Sequence, residues 1–255
     1  MQSGKERFRY EQKSRELREK EYHTARAFVA LDDLGRLVAV SSTMDTLDIL
    51  EVATGKQRFR LAGNDSRITA LGMTGDGKTL VPGTEEGRVR LWDLESGQVR
   101  STVQLEKAPG LVCVSASGLR ILAGNEQGIE VLECDTGRQW RIAESSAGLA
   151  GLALLTADGS RVVVGSHERR ITVWDVDSRT AHFSWCAHSG PITSIAVSRD
   201  GSRLVSSSED RTVKSWDLTR EGAYAAGALA AGAIWWLPVR RTQLSGPSIN
   251  GQFRR

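Results

Sequence analysis

The segment Gly72-Met-Thr-Gly-Asp-Gly-Lys78-Thr79 has the spacing of a loop that cradles nucleotide phosphates. That chemistry needs a strand before the loop and a helix directly after it, whose first amides hold the anion. The next residues are Leu80-Val-Pro-Gly83. Pro82 lacks an N–H and Gly83 is flexible, so no good helix opens there. The segment therefore reads as a hairpin turn, and no nucleotide site is expected. His23, His167 and His182 lie near no recurring acid or nucleophile, so no triad can be assembled from them. Cys113, Cys134 and Cys186 share no pairing or metal-ligand spacing, which points to a reduced intracellular protein. No catalytic residue, cofactor, metal or small-molecule substrate is expected.

What positions these residues is a repeat. A bulky apolar residue closes a strand at Leu50, Trp92, Leu132, Trp174 and Trp216, at steps of 42, 40, 42 and 42 residues. A turn glycine keeps the same beat at Gly35, Gly77, Gly118, Gly159 and Gly201. Two markers locked to one period identify a repeat protein. The fifth unit is the clearest: Pro191–Val197 alternates as a strand, Arg199–Ser202 turns, and Arg203–Ser207 returns. A turn at Ser208–Arg211 then leads to a third strand, Thr212–Asp217. Thr54-Gly55, Ser96-Gly97 and Thr136-Gly137 turn the earlier units into fourth strands, Gln57–Leu61, Val99–Leu105 and Gln139–Ile142, and Ala181–Trp185 serves the fourth unit. Four antiparallel strands per period of about 42 suit a β-propeller blade.

The phrases Val-Arg-Leu-Trp92-Asp-Leu, Ile-Thr-Val-Trp174-Asp-Val and Val-Lys-Ser-Trp216-Asp-Leu resemble the end of the WD40 repeat, over residues 25–218. The resemblance implies an all-β propeller of about five four-stranded blades, divided near 25–62, 63–105, 106–143, 144–186 and 187–218. It also implies a structural tetrad of His188, Ser206, Asp210 and Trp216, in which each buried polar group finds a partner. Only the fifth unit matches at all four positions. The second has Asn64, Pro82 and Glu86 and the fourth has Ser146, Val164 and Glu168, while units one and three lack the Trp. Those blades are expected to rest on apolar packing, with Leu50, Trp92, Leu132 and Trp174 in the core. Trp140 and Trp185 fall on outer strands, where edge packing is the expected role. The family usually closes with seven blades, so five imply a strained or incomplete ring.

The family commonly docks partners on one face of the propeller, where the fourth-to-first and second-to-third strand connections emerge. Here those loops carry Asn64, Asp65, Arg67, Glu85, Glu86, Glu126, Gln127, His167, Glu168, Arg169, Arg170, Glu209 and Arg211. The implied function is a non-enzymatic scaffold for other proteins within a larger assembly. The formal net charge of +3, with both signs interspersed, argues against a dedicated nucleic-acid surface. The N-terminus is too charged for a secretory signal. The cytoplasm is expected, with the nucleus as the alternative.

Both ends differ from the repeats. Residues 1–24 hold opposite charges four apart, as in Glu11/Arg15 and Glu16/Lys20, and suggest a solvated helix or a partner-binding segment. After Leu218 the beat stops, and residues 219–255 run through an Ala/Gly-rich stretch into a basic tail. Ala and Gly are poor strand formers. Residues 223–239 carry no charge until the basic tail, which admits a membrane helix or a helix capping the array. The favoured expectation is an irregular end belonging to a truncated or alternatively terminated form of a longer repeat protein.

Overall fold

A computed structural model describes residues 28–41, 45–144, 152–219, 224–228 and 236–237. The predicted leader helix lies outside the described residues. The first sheet comprises β1 (Val29–Leu31), β2 (Leu37–Ser41), β3 (Leu47–Glu51) and β4 (Gln57–Leu61). The second comprises β5 (Ile68–Met73), β6 (Thr79–Thr84), β7 (Arg88–Asp93) and β8 (Gln98–Gln104). β9 (Leu111–Val114), β10 (Arg120–Asn125), β11 (Gly128–Glu133) and β12 (Gln139–Glu144) form the third. The fourth holds β13 (Ala153–Leu155), β14 (Arg161–Gly165), β15 (Arg170–Asp175) and β16 (Thr180–Cys186). The fifth holds β17 (Ile192–Val197), β18 (Arg203–Ser208), β19 (Val213–Asp217), β20 (Tyr224–Ala228) and β21 (Trp236–Leu237). Each is an antiparallel meander in chain order. These are the blades of a β-propeller.

The turn glycines set the inner hairpins. Gly35, Gly77, Gly118, Gly159 and Gly201 all take φ between +63° and +75°, a region that side chains with a Cβ disfavour. A polar residue three before the glycine closes the turn where it can: Thr74, Thr156 and Ser198 hydroxyls donate to Asp76, Asp158 and Asp200. A register shift recurs on the third strand just before the bulky residue, at Ile49/Leu50, Leu91/Trp92, Val173/Trp174 and Lys214/Trp216. Such bulges bend and twist the outer strands.

The tail departs from expectation. The uncharged Ala/Gly stretch supplies the missing fourth strand, with Lys214 opposite Ala228 and Asp217 opposite Tyr224, and β21 adds a fifth. The expected irregular or helical tail is therefore corrected over 224–228 and 236–237. An outer strand needs its backbone N–H and C=O groups more than its side chains, so the ladder on β19 outweighs weak β-propensity. Among the described residues, no helix is long and apolar enough to cross a membrane.

The core lies between blades. Blades 1 and 2 bury Leu37, Ala39, Leu47 and Ile49 against Ile68, Leu80 and Trp92. Blades 2 and 3 share Val81, Val89 and Leu91 with Val112, Ile121 and Leu132. Leu122, Ile129 and Val131 meet Ala153, Val162 and Val164 at the third boundary. Val163, Ile171 and Val173 meet Ile192, Leu204 and Trp216 at the fourth. Full burial of each aliphatic side chain contributes roughly 1.5–3 kcal/mol before conformational entropy is counted. The C-terminal ends of the inner strands of blades 2 to 5 and the turns that follow them, together with Asp33 of blade 1, line a cavity of about 450 Å³.

Candidate functional site

The fifth blade assembles a continuous polar chain inside its apolar boundary. His188 sits in the β16–β17 connection, Ser206 on β18, Asp210 in the β18–β19 turn and Trp216 on β19. The Trp216 indole N–H donates to the Ser206 hydroxyl oxygen at 2.9 Å. Ser206 Oγ lies 2.8 Å from His188 Nε2, and His188 Nδ1 lies 3.0 Å from Asp210 Oδ2. One tautomer satisfies the chain: Nδ1–H donates to the carboxylate, and Nε2 accepts from the serine hydroxyl. Ser206 is fully buried, and His188 and Trp216 are nearly so.

The electrostatics suit structure rather than proton transfer. Burial lowers the His188 pKa, and the attraction of Asp210 offsets only part of that effect. For Asp210, burial works to raise the pKa. Hydrogen bonds from the Thr212 hydroxyl, the Ser189 and Thr212 amides and His188 outweigh it and hold the carboxyl well below the usual range. At neutral pH the imidazole is neutral and the carboxylate charged. Asp210 also accepts from Ser189 N–H at 2.9 Å and Thr212 N–H at 2.9 Å, so it ties two loops together.

Blade 2 contains a shortened version that its sequence hides. Asn64 is fully buried, and its carbonyl oxygen accepts directly from the Trp92 indole N–H at 3.3 Å. Its amide nitrogen donates to the Asp45 carbonyl oxygen of blade 1 at 2.7 Å. Asn64 is therefore removed from the candidate partner face: it is an internal tie. The signal was an amide in the place of a histidine, with a shorter reach that skips the serine. Leu50 and Leu132 are buried with Trp92, while Trp174 is half-buried. Trp185 is buried against Trp216 with ring centroids 5.3 Å apart, and half-buried Trp140 lies under the Arg179 guanidinium at 4.7 Å.

The apparent phosphate loop is a hairpin between β5 and β6. Its amides are already committed: Gly77 N–H donates to the Thr74 carbonyl, Lys78 N–H to Asp76 Oδ1 and Thr79 N–H to the Thr74 hydroxyl. A carboxylate thus occupies the place an anion would need. Lys78 pairs with Glu95 at 2.9 Å on the surface. Burial pushes the Cys113 and Cys134 thiols up to about 11, leaving them protonated at neutral pH. Among the described residues, no three His, Cys, Asp or Glu side chains cluster to hold a metal.

The remaining candidate residues lie in the turns and connections near the tetrad end of the blades. Asp65 is exposed and pairs with Arg88 at 3.3 Å and with Arg90, whose guanidinium holds its carboxyl below the usual range. The Glu85 N–H donates to the Arg67 carbonyl at 2.8 Å, and Glu86 pairs with Arg88 at 3.2 Å. Glu126 and Gln127 are exposed beside Asn125, whose side chain accepts the Gln127 N–H at 2.8 Å. His167, Glu168 and Arg169 are exposed, whereas Arg170 is half-buried and donates to Ser184 Oγ at 2.9 Å. Glu209 N–H donates to the Pro191 carbonyl, and Arg211 is exposed. Arg169 and Arg211 hold φ of 68° and 66°, a conformation that non-glycine residues adopt only when the surroundings impose it.

Two family models match the sequence: the WD domain, G-beta repeat over residues 179–217, and the anaphase-promoting complex subunit 4 WD40 domain over residues 36–117. These matches, together with the propeller fold, support a WD40-repeat family. The fold is similar to the crystal structure of the Cps50 (Swd1) β-propeller domain of Myceliophteria thermophila. The TM-score is 0.66 and the identity 18%, over 78% of this chain and 70% of that one. Autophagy-related protein 16 of Arabidopsis thaliana is 23% identical over 141 residues, covering 54% of this chain and 28% of that protein. Mitochondrial division protein 1 of Coccidioides immitis (strain RS) is 29% identical over 141 residues, covering 54% of this chain and 18% of that protein. The matched region thus spans under a third of the length of these curated relatives. WD40 propellers are typically protein-interaction scaffolds, and the fold is generally non-catalytic.

Proposed function

We propose that this WD40 chain is an interaction scaffold within a larger assembly, presenting its tetrad-side loops to other proteins without catalysis. The observation that carries this reading is the way buried side chains anchor those loops. Asp210 fixes the β16–β17 connection to the β18–β19 turn, and Asn64 fixes the β4–β5 connection to the turn of the preceding blade. Rigid loops lose little freedom when a partner binds, so their affinity is not spent on ordering. The exposed groups they carry, Asp65, Glu85, Glu86, Glu126, Gln127, His167, Glu168, Arg169, Glu209 and Arg211, mix both signs, which suits selective protein contacts rather than nucleic acid. Three free cysteines accord with a reducing compartment, and the cytoplasm is the proposed location.

The test is an affinity purification of the whole chain against a variant carrying Glu85→Lys, Glu86→Lys, Glu168→Lys and Glu209→Lys together. These side chains are exposed, so the thermal melt should be unchanged while recovered partners are lost. Equal recovery by both proteins would refute this face as the docking surface.

A further inference from the structure

The repeat allows the faces of all five blades to be compared position by position, and one boundary stands apart. Four residues after the turn glycine, Ala39, Val81, Leu122 and Val163 point at the following blade and are completely buried, while Val205 of blade 5 is 41% exposed. Three residues before the bulky position, Leu47, Val89, Ile129 and Ile171 are again fully buried, whereas Val213 is 37% exposed. Blade 1 shows the matching deficit on its opposite face. Val112 and Ala153 pack against the preceding blade, but the equivalent Val29 is 62% exposed, and its neighbour Leu31 is 55% exposed. Val38 and Val40 are half-buried behind them, and the covered residues of this face on β3 are Asp48 and the outer Leu50.

Four boundaries therefore have apolar cores, and among the described residues the boundary between blades 5 and 1 has none. Among the described residues it is crossed by the ion pair of Arg199 and Asp33 at 3.5 Å, between the inner turns, with both side chains largely in solvent. Such a pair contributes little and is screened by salt, so the boundary can open easily. The blade 5 face also differs in chemistry. Ser215 occupies the place of Ile49, Leu91, Val131 and Val173, and the Thr193 and Ser207 hydroxyls lie 2.9 Å apart on the exposed surface. An apolar surface interrupted by hydroxyls suits an interface that forms between separate chains rather than a permanent core.

We propose that this open seam docks a β-sheet of another polypeptide, which enters between blades 5 and 1 as an additional blade. The occupant is defined by continuity: at the other four boundaries the same positions are covered by an antiparallel sheet. It would turn aliphatic residues toward Val29 and Leu31, and a mixed aliphatic and hydroxyl face toward Val205 and Val213. The match to the Cps50 propeller covers 70% of that domain, which has further chain beyond the matched part. The inference deepens the scaffold proposal and rests on it.

The test places the photo-crosslinker p-benzoylphenylalanine at Leu31 or Val205 of the whole chain in cells, with exposed Arg138 as control. Cross-linked peptides are then sequenced. The expected result is strand segments of one β-sheet in another polypeptide, captured from both seam positions. Val213→Lys should reduce the yield about tenfold, the loss that follows when a charge is left unpaired in an apolar interface. Cross-links confined to this chain or a second copy, to non-strand segments, or no more frequent than at Arg138 overturn the proposal. Partners lost with the four loop substitutions while the seam stays unlabelled would sink the seam and leave the scaffold standing.

Discussion

Blades 5 and 3 solve the same packing problem with opposite chemistry. Where blade 5 buries Ser206 and Trp216, blade 3 buries Ala123 and Leu132 at the equivalent places, each almost wholly out of water. The polar solution is specified by geometry, because each donor has one acceptor at the right distance. The apolar solution is specified only by shape and volume. A satisfied polar network adds orientation, and any single deletion leaves an orphan. An aliphatic core tolerates substitution more gradually. The comparison explains how one chain can keep the tetrad in a single blade and still repeat its fold five times: the tetrad is one route to a filled boundary.

The largest expected effect separates the two blades least. Trp216→Ala and Leu132→Ala both open cavities in inter-blade clusters, costing about 3–5 and about 2–5 kcal/mol respectively. Trp216→Ala also strips Ser206 of its donor and the Trp185 ring of its neighbour. Urea melts should place it as the more damaging of the pair. Equal midpoints would mean that the hydrogen-bond chain adds nothing to the packing.

A reciprocal exchange sharpens the contrast. Ser206→Ala leaves His188 Nε2 and the Trp216 N–H without their partner inside the core, at about 1–3 kcal/mol. Ala123→Ser introduces a hydroxyl among Val81, Val112 and Ile121, a cost of similar size with no partner to offset it. Both variants should lower the thermal midpoint. If Ser206→Ala proved neutral, the tetrad would be ornamental in this chain.

The beat of Gly and Trp-Asp makes the sheets, their order and the hairpin nature of the Gly72–Thr79 segment legible in the sequence alone. It worked because a turn glycine and a bulky strand-end residue are local requirements. What it missed was not local. Asn64 bonds Trp92 across 28 residues, a contact that a motif comparison scores as a degraded position. The strand at Tyr224–Ala228 is drafted by the open edge of β19 and not by its own composition. The seam between blades 5 and 1 shows in the sequence only as a missing count. Its chemistry, Ser215 where four other blades place an aliphatic residue, becomes visible once the registers are aligned.

The smallest expected effect is on pH, and it belongs to blade 5 alone. Burial lowers the His188 pKa, so the unfolded chain takes up a proton at that residue before the folded chain does. As pH falls below the unfolded value of about 6.5, the stability owed to neutral His188 declines. Asp210 acts in a lower window: its folded pKa lies below the unfolded value of about 3.9, so its contribution is complete above that pH and lost as pH falls toward the folded pKa. Melts between pH 7.5 and 5 should therefore show a modest loss in the wild type that His188→Asn flattens, since Asn does not titrate there. Leu132→Ala should lower the whole curve without changing its slope. An unaltered slope in His188→Asn would assign the pH response to groups outside the tetrad and leave blades 5 and 3 alike in this respect.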